Sequence, residues 1–122
     1  EMALEARAKG ITTIAITNVA YSSSVSSRHP SKKRLFEVCD ILIDNKGEVG
    51  DAAVSLKGLP ERIGPTSTAC GTALLNGIVI ETVGQMLALG EVPPVFVSAN
   101  LDGGDEHNKA IFEKYKDQIH YN

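Results

Sequence analysis

Gly10-Ile11-Thr12-Thr13-Ile14-Ala15-Ile16-Thr17 is the stretch that decides the fold class. It follows Glu1-Met2-Ala3-Leu4-Glu5-Ala6-Arg7-Ala8-Lys9, strong helix-forming sequence from its first residue with no capping residue ahead of it. Gly10 is read as the left-handed stop of that helix, and the β-branched run after it is a strand of the buried type. Helix, glycine and short apolar strand form the αβ half of a βαβ unit. A parallel sheet follows, with a further strand expected before Glu1. On this reading the chain starts inside an element and is a fragment of something longer. In such sheets ligands sit beyond the carboxyl ends of the strands, which makes Thr17, Asn18 and the loop after them candidate binding residues.

That loop, residues 19–34, is rich in serine and closes with Arg28, His29, Lys32, Lys33 and Arg34. Ser22 and Ser23 are candidate ligand contacts there; the alternative is a flexible surface loop. A short helix is expected over residues 35–39, then a second buried strand, Asp40-Ile41-Leu42-Ile43-Asp44. The chain continues into Asn45-Lys46-Gly47-Glu48-Val49-Gly50-Asp51. By the strand-end rule Glu48 lies near the crevice, a candidate base for proton transfer or else a solvated turn residue. Residues 54–63 read as loop with a short extended piece.

Thr66, Ser67 and Thr68 follow Gly64-Pro65 and precede an apolar run that reaches Leu89-Gly90. Thr66 or Ser67 is a natural N-cap, and the run is expected to be a long, central, buried helix. Ala69, Ala73, Gly77 and Gly84 make a stripe of small residues suited to close packing. Free amides and the positive dipole end favour an anion at the helix start. Thr66, Ser67, Thr68 and Asn76 are therefore candidate contacts for a phosphate or for sugar hydroxyls. The alternative is that the hydroxyls only cap the helix. A membrane span is disfavoured by Asn76, Glu81, Gln85 and the glycines.

Beyond Pro93-Pro94 a short extended piece, residues 95–98, leads to a last amphipathic helix capped by Asp105. His107 falls in its first turn, where the dipole favours neutral imidazole, the form of a proton shuttle.

Bulk properties bound the function. The chain has 122 residues, 43% apolar and 22% charged, enough for one domain with a core. A net charge of −3 offers no electrostatic attraction to nucleic acid or an anionic membrane. Cys39 and Cys70 lack metal or redox spacing, so buried thiols and a cytoplasmic location are expected.

The order helix, Gly10, Ile14-Ala15-Ile16-Thr17, serine-rich loop, Cys39-Asp40-Ile41-Leu42-Ile43, then Pro65-Thr66-Ser67-Thr68 and a long helix resembles the second half of a SIS (sugar isomerase) domain. The stretches from Thr17 to Pro30 and from Ser98 to Asn108 are similar, more narrowly, to the UPF0309 proteins. The resemblance implies a flavodoxin-like α/β three-layer sandwich with a parallel sheet, of which residues 1–122 are the C-terminal part. On this resemblance the half carrying the phosphate-cradling loop is expected to lie outside residues 1–122. It also implies a phosphosugar ligand, homodimers or homotetramers, no cofactor and no metal. Aldose–ketose isomerisation is implied, with Glu48, in a segment similar to the Glu-Ile-Gly of glucosamine-6-phosphate synthase, as the base and His107 as the ring opener. A non-catalytic module that binds sugar phosphate or mediates oligomerisation is the other reading.

Overall fold

A computed structural model describes residues 1–118. The chain is mixed α/β and divides into two compact units, residues 1–79 and residues from 80 onward. The first unit opens with α1 (Met2–Ala8), whose end is closed as expected. Gly10 takes φ +73, the Gly10 amide donates to the Arg7 carbonyl at 3.0 Å, and the Ile11 amide donates to Ala6 at 2.9 Å. This is a Schellman motif.

β1 (Ile14–Thr17) and β2 (Ile41–Asp44) pair in parallel, with Ile14 beside Ile41 and Thr17 beside Asp44. The parallel sheet expected from Gly10 to Thr17 is thus present. Its lower end is clipped by Asp40, whose carboxylate accepts the Thr13 amide at 2.8 Å and the Thr13 hydroxyl at 2.7 Å. Arg7 ties α1 to the same place, donating to the Val38 carbonyl at 2.7 Å and lying 3.3 Å from Asp40.

The connection between the strands differs from the expected loop in its first residues. Residues Val19–Ser24 form α2, because Asn18 is an N-cap whose side-chain oxygen accepts the Tyr21 amide at 2.8 Å. A 3-10 turn follows at Leu35–Glu37. Residues 54–63, read from sequence mostly as loop, lie within a small antiparallel hairpin of β3 (Ala52–Val54) and β4 (Ile63–Pro65). The apolar alternation there is too short to register as strand.

The long helix α3 spans Ser67–Ala88. Its start is as read: the Thr66 carbonyl accepts the Cys70 amide at 2.9 Å, which makes Thr66 the cap position. Its end is a second Schellman motif at Gly90 (φ +79), with the Glu91 amide donating to Met86 at 2.9 Å. The expected burial is not found. No residue of α3 is buried, and a Cβ placed on Gly71, Gly77 or Gly84 would meet nothing within 4 Å. By length and composition alone α3 could cross a membrane, at a mean hydropathy of 1.2.

In the second unit α4 covers Gly104–Tyr115. Gly103, with φ +77, occupies the cap position expected for Asp105, which instead lies in the first turn. The extended piece 95–98 is held by side chains of α4. Asn108 accepts the Val97 amide at 3.0 Å and donates to the Val97 carbonyl at 2.9 Å, imitating a strand partner. Phe96 and Phe112 stack at 5.0 Å between centroids.

Candidate functional site

Beyond the carboxyl ends of β1 and β2 lies a cleft of about 310 Å³, at the small end of the ~300–1,000 Å³ typical of small-molecule sites. Thr17, Asn18 and Ser22 line one side; Gly47, Glu48 and Ser67 line another. Five of the residues singled out in the sequence therefore share one cavity: Thr17, Asn18, Ser22, Glu48 and Ser67.

Each is positioned by local structure. The Thr17 and Ser22 hydroxyls lie 3.3 Å apart, across the turn from β1 into α2. Asn18 donates its amide to the Gly47 carbonyl and, at 3.2 Å, to that of Glu48, so one side chain both starts α2 and holds the loop after β2. Asn45 completes the floor: its amide donates to the Thr17 carbonyl at 3.0 Å, and its side-chain oxygen accepts the Gly47 amide at 3.0 Å. Glycine at 47 lets these side chains come close, since a Cβ there would lie 2.9 Å from the Thr66 hydroxyl and 3.2 Å from Asn18 and would displace one of them. Asp44 accepts the Val19 amide at 3.2 Å and pairs with Lys46 at 2.7 Å. The Lys46 ammonium and amide, then the Val19 amide, hold Asp44 below the usual carboxylate range.

Glu48 is half exposed and its carboxylate lies 3.4 Å from Arg62. Arg62 is anchored through a 2.8 Å bond to the Ala53 carbonyl in the hairpin. The base candidate thus faces the cleft with one guanidinium as its partner.

Asp51 is the residue that sequence reading missed. Its carboxylate accepts the Ser67 amide at 2.7 Å, the Thr66 amide at 3.0 Å, the Ser67 hydroxyl at 2.9 Å and the Thr66 hydroxyl at 3.2 Å. The Ser67 amide and hydroxyl, then those of Thr66, hold Asp51 below the ordinary carboxylate range. The start of α3 is therefore served by the protein's own anion. The signal was the β3–β4 pairing, which sets Ala52 opposite Pro65 and so brings Asp51 to Thr66. A hairpin recognised there would have exposed it.

The other candidates lie outside this cleft. Ser23 belongs to a separate groove with Ser24, Ser26, Ser27, Lys32 and Arg34, and its carbonyl accepts Arg34 at 3.3 Å. Thr66 is half buried behind Asp51; Thr68 and Asn76 are exposed on α3. His107 is in the second unit, where Nε2 donates to the Val95 carbonyl at 2.9 Å. Among the described residues no group of three His, Cys, Asp or Glu side chains is arranged for a metal ion.

Fold and cleft define a mixed α/β protein with a ligand-sized cleft, lined by several polar residues, at the ends of parallel strands. No family model matches the chain. Its homologues are proteins named UPF0309. It is 54% identical over 121 residues to the UPF0309 protein of Shouchella clausii, covering 99% of this chain and 49% of that protein. It is 48% identical to that of Oceanobacillus iheyensis, again over 99% of this chain and 49% of the relative. The Streptomyces coelicolor protein is 40% identical, with 99% and 48% covered. The narrow resemblance read from residues 17–30 and 98–108 is thus supported as homology. The chain spans about half the length of these relatives.

Proposed function

We propose that this chain forms the sugar-recognising half of a sugar-phosphate-binding protein of the SIS type, and that the cleft at the ends of β1 and β2 takes the hydroxyl-bearing part of the ligand. One observation carries the reading: Thr17, Asn18, Ser22, Glu48 and Ser67, on separate elements, line a single cavity. Hydroxyls and carboxamides both donate and accept, and a carboxylate accepts two sugar hydroxyls at once, so this set suits a polyol. A flavodoxin-like three-layer sandwich is the architecture this reading requires, with the ligand's phosphate held by residues outside this chain. The working protein is a homodimer or homotetramer in the cytoplasm.

In the catalytic form of the proposal, Glu48 carries a proton between C1 and C2 of an aldose–ketose pair through an enediolate, exchanging Arg62 for substrate as it does so. The ring opener would be the His107 that a neighbouring subunit of the proposed oligomer supplies. A second reading, binding without chemistry, is favoured by a specific fact: both groups already have partners, Glu48 in Arg62 and His107 in the Val95 carbonyl.

A thermal-shift screen of the full-length protein against pentose, hexose and heptose phosphates tests the binding claim, since a ligand of the native state at a hundred times its Kd stabilises by about 2.7 kcal/mol. One or more of these sugars is expected to raise Tm, and a flat response to all of them contradicts the proposal. Glu48→Gln then separates the two forms. A loss of roughly 10²–10⁴-fold in isomerisation with binding retained supports proton transfer, whereas binding with no turnover in the parent protein supports the second reading.

A further inference from the structure

The same cleft shows an asymmetry of charge that bears on which end of a ligand it takes. Glu48 and Asp51 are both among its lining residues, whereas no lysine or arginine is. Arg62 is already engaged, donating to the Glu48 carboxylate at 3.4 Å and to the hairpin carbonyl of Ala53 at 2.8 Å. The start of α3, the feature that would otherwise receive an anion, is occupied. Asp51 takes the amides of Thr66 and Ser67, two of the four a helix start leaves free, together with both hydroxyls. It does so from a left-handed backbone conformation, φ +73, next to Gly50 at φ +85. The hairpin fixes that placement, because the Thr66 amide also donates to the Asp51 carbonyl at 3.0 Å as β3 and β4 close.

We infer that Asp51 is a specificity-determining residue: it fills the helix start with the protein's own carboxylate, so that the cleft accepts an uncharged polyol end and rejects a phosphate or carboxylate group. The inference rests on the sugar-binding reading for the identity of the ligand, but not for the exclusion of anions. A phosphate entering here must either displace Asp51 from its hydrogen bonds or sit beside two carboxylates, of which Glu48 alone has a cation, Arg62, at 3.4 Å. A sugar hydroxyl meets neither obstacle and donates to Oδ2 of Asp51, to which the Ser67 hydroxyl alone donates among the described residues. The ligand is thereby oriented, with its uncharged carbons toward Glu48 and its phosphate pointing out of the cleft.

The test is a titration of the full chain with inorganic phosphate, followed through the backbone amide resonances of Thr66 and Ser67, for the parent and for Asp51→Asn. Asparagine tolerates the left-handed conformation and keeps an acceptor for the two amides, so the variant removes charge with little change of shape. The parent amides are expected to stay unmoved at millimolar phosphate, and those of the variant to show a saturable shift. Saturable movement in the parent overturns the assignment, as does a folded variant that gains no phosphate binding. Asp51→Gly, which also suits positive φ, stands in if the asparagine variant does not fold; if neither folds, the parent titration decides alone. Failure of the sugar-binding reading is seen separately, as Thr17, Asn18 and Ser22 amides that no sugar phosphate moves in either protein.

Discussion

Gly47 and Asp51 sit on either side of Glu48, and each constrains where that carboxylate can go. A methyl group at 47 would press on the Thr66 hydroxyl, which Asp51 already holds. Gly47→Ala is therefore expected to push the loop after β2 away from Asn18. In a titration of the variant, ligand affinity should fall at least tenfold while Tm falls by only a few degrees, the size of a ~1–2 kcal/mol change in a chain of this length. Unchanged affinity would show that the loop's position does not matter to binding. Residues at this scale were partly legible. That Thr17, Asn18, Ser22, Glu48 and Ser67 line one cavity could be anticipated because a rule about strand ends and a rule about helix starts both name sequence-local positions. Asp51 was missed because its partners lie fifteen and sixteen residues away and nothing local marks an aspartate as a cap for a distant helix. The engagement of His107 with Val95 was hidden for the same reason.

Among elements, α2 and the 3-10 turn are joined by Arg34. Its guanidinium reaches the carbonyls of Ser22, Ser23 and Val25 at 3.3–3.5 Å and pairs with Glu37 at 2.8 Å. Glu37 also accepts the Arg34 amide at 2.6 Å. The Arg34 side chain, then its amide, lower the Glu37 pKa to about 2. The folded form thus binds this proton less readily than the unfolded chain, whose carboxyl titrates near 4.3. The pair's contribution to stability is whole above that value and is lost as pH falls through about 2. Asp40, Asp44 and Asp51, all lowered, act in the same sense. Glu37→Gln is expected to reduce, without abolishing, the fall in Tm between pH 4 and pH 2, measured by circular dichroism; an unaltered slope would show that the pair contributes nothing to stability. In α4, Gly104 is buried, and a Cβ there would collide with the Ser98 carbonyl. Gly104→Ala should detach the 95–98 segment from the helix, visible as faster amide exchange at Val97. Helix ends were the most legible features: Gly10 and Gly90 close α1 and α3 where a glycine after a helix-forming run is expected to. The hairpin was the least legible, since three-residue strands carry too little alternation to separate from loop.

At the scale of the molecule, the described residues leave much apolar surface in contact with water. Among the described residues only Ala15 and Val38 form a buried apolar core, while Ile14, Val79, Ile80, Leu87 and Leu89 are more than half exposed. A surface of that extent gains by being covered, and the proposed oligomer would supply part of the cover. Sedimentation of the full chain is expected to show a dimer or tetramer at micromolar concentration, with Ile80→Glu shifting it toward smaller species; a monomer that stays soluble and cooperative on heating would argue against association. The parallel pairing of β1 and β2 was legible because helix, glycine and apolar strand come in one order. The exposure of α3 was not, because an apolar helix reads alike whether or not anything covers it.

The central claim is that residues from β1, α2, the loop after β2 and the start of α3 grip one polyol. Amide chemical-shift mapping of the full-length protein with the sugar phosphate that most raises Tm addresses it directly. Concerted, saturable movement of Thr17, Asn18, Ser22, Glu48 and Ser67, with a single Kd, is the predicted result. A ligand that binds while those five stay still, or moves residues of the Lys32 and Arg34 groove instead, contradicts it.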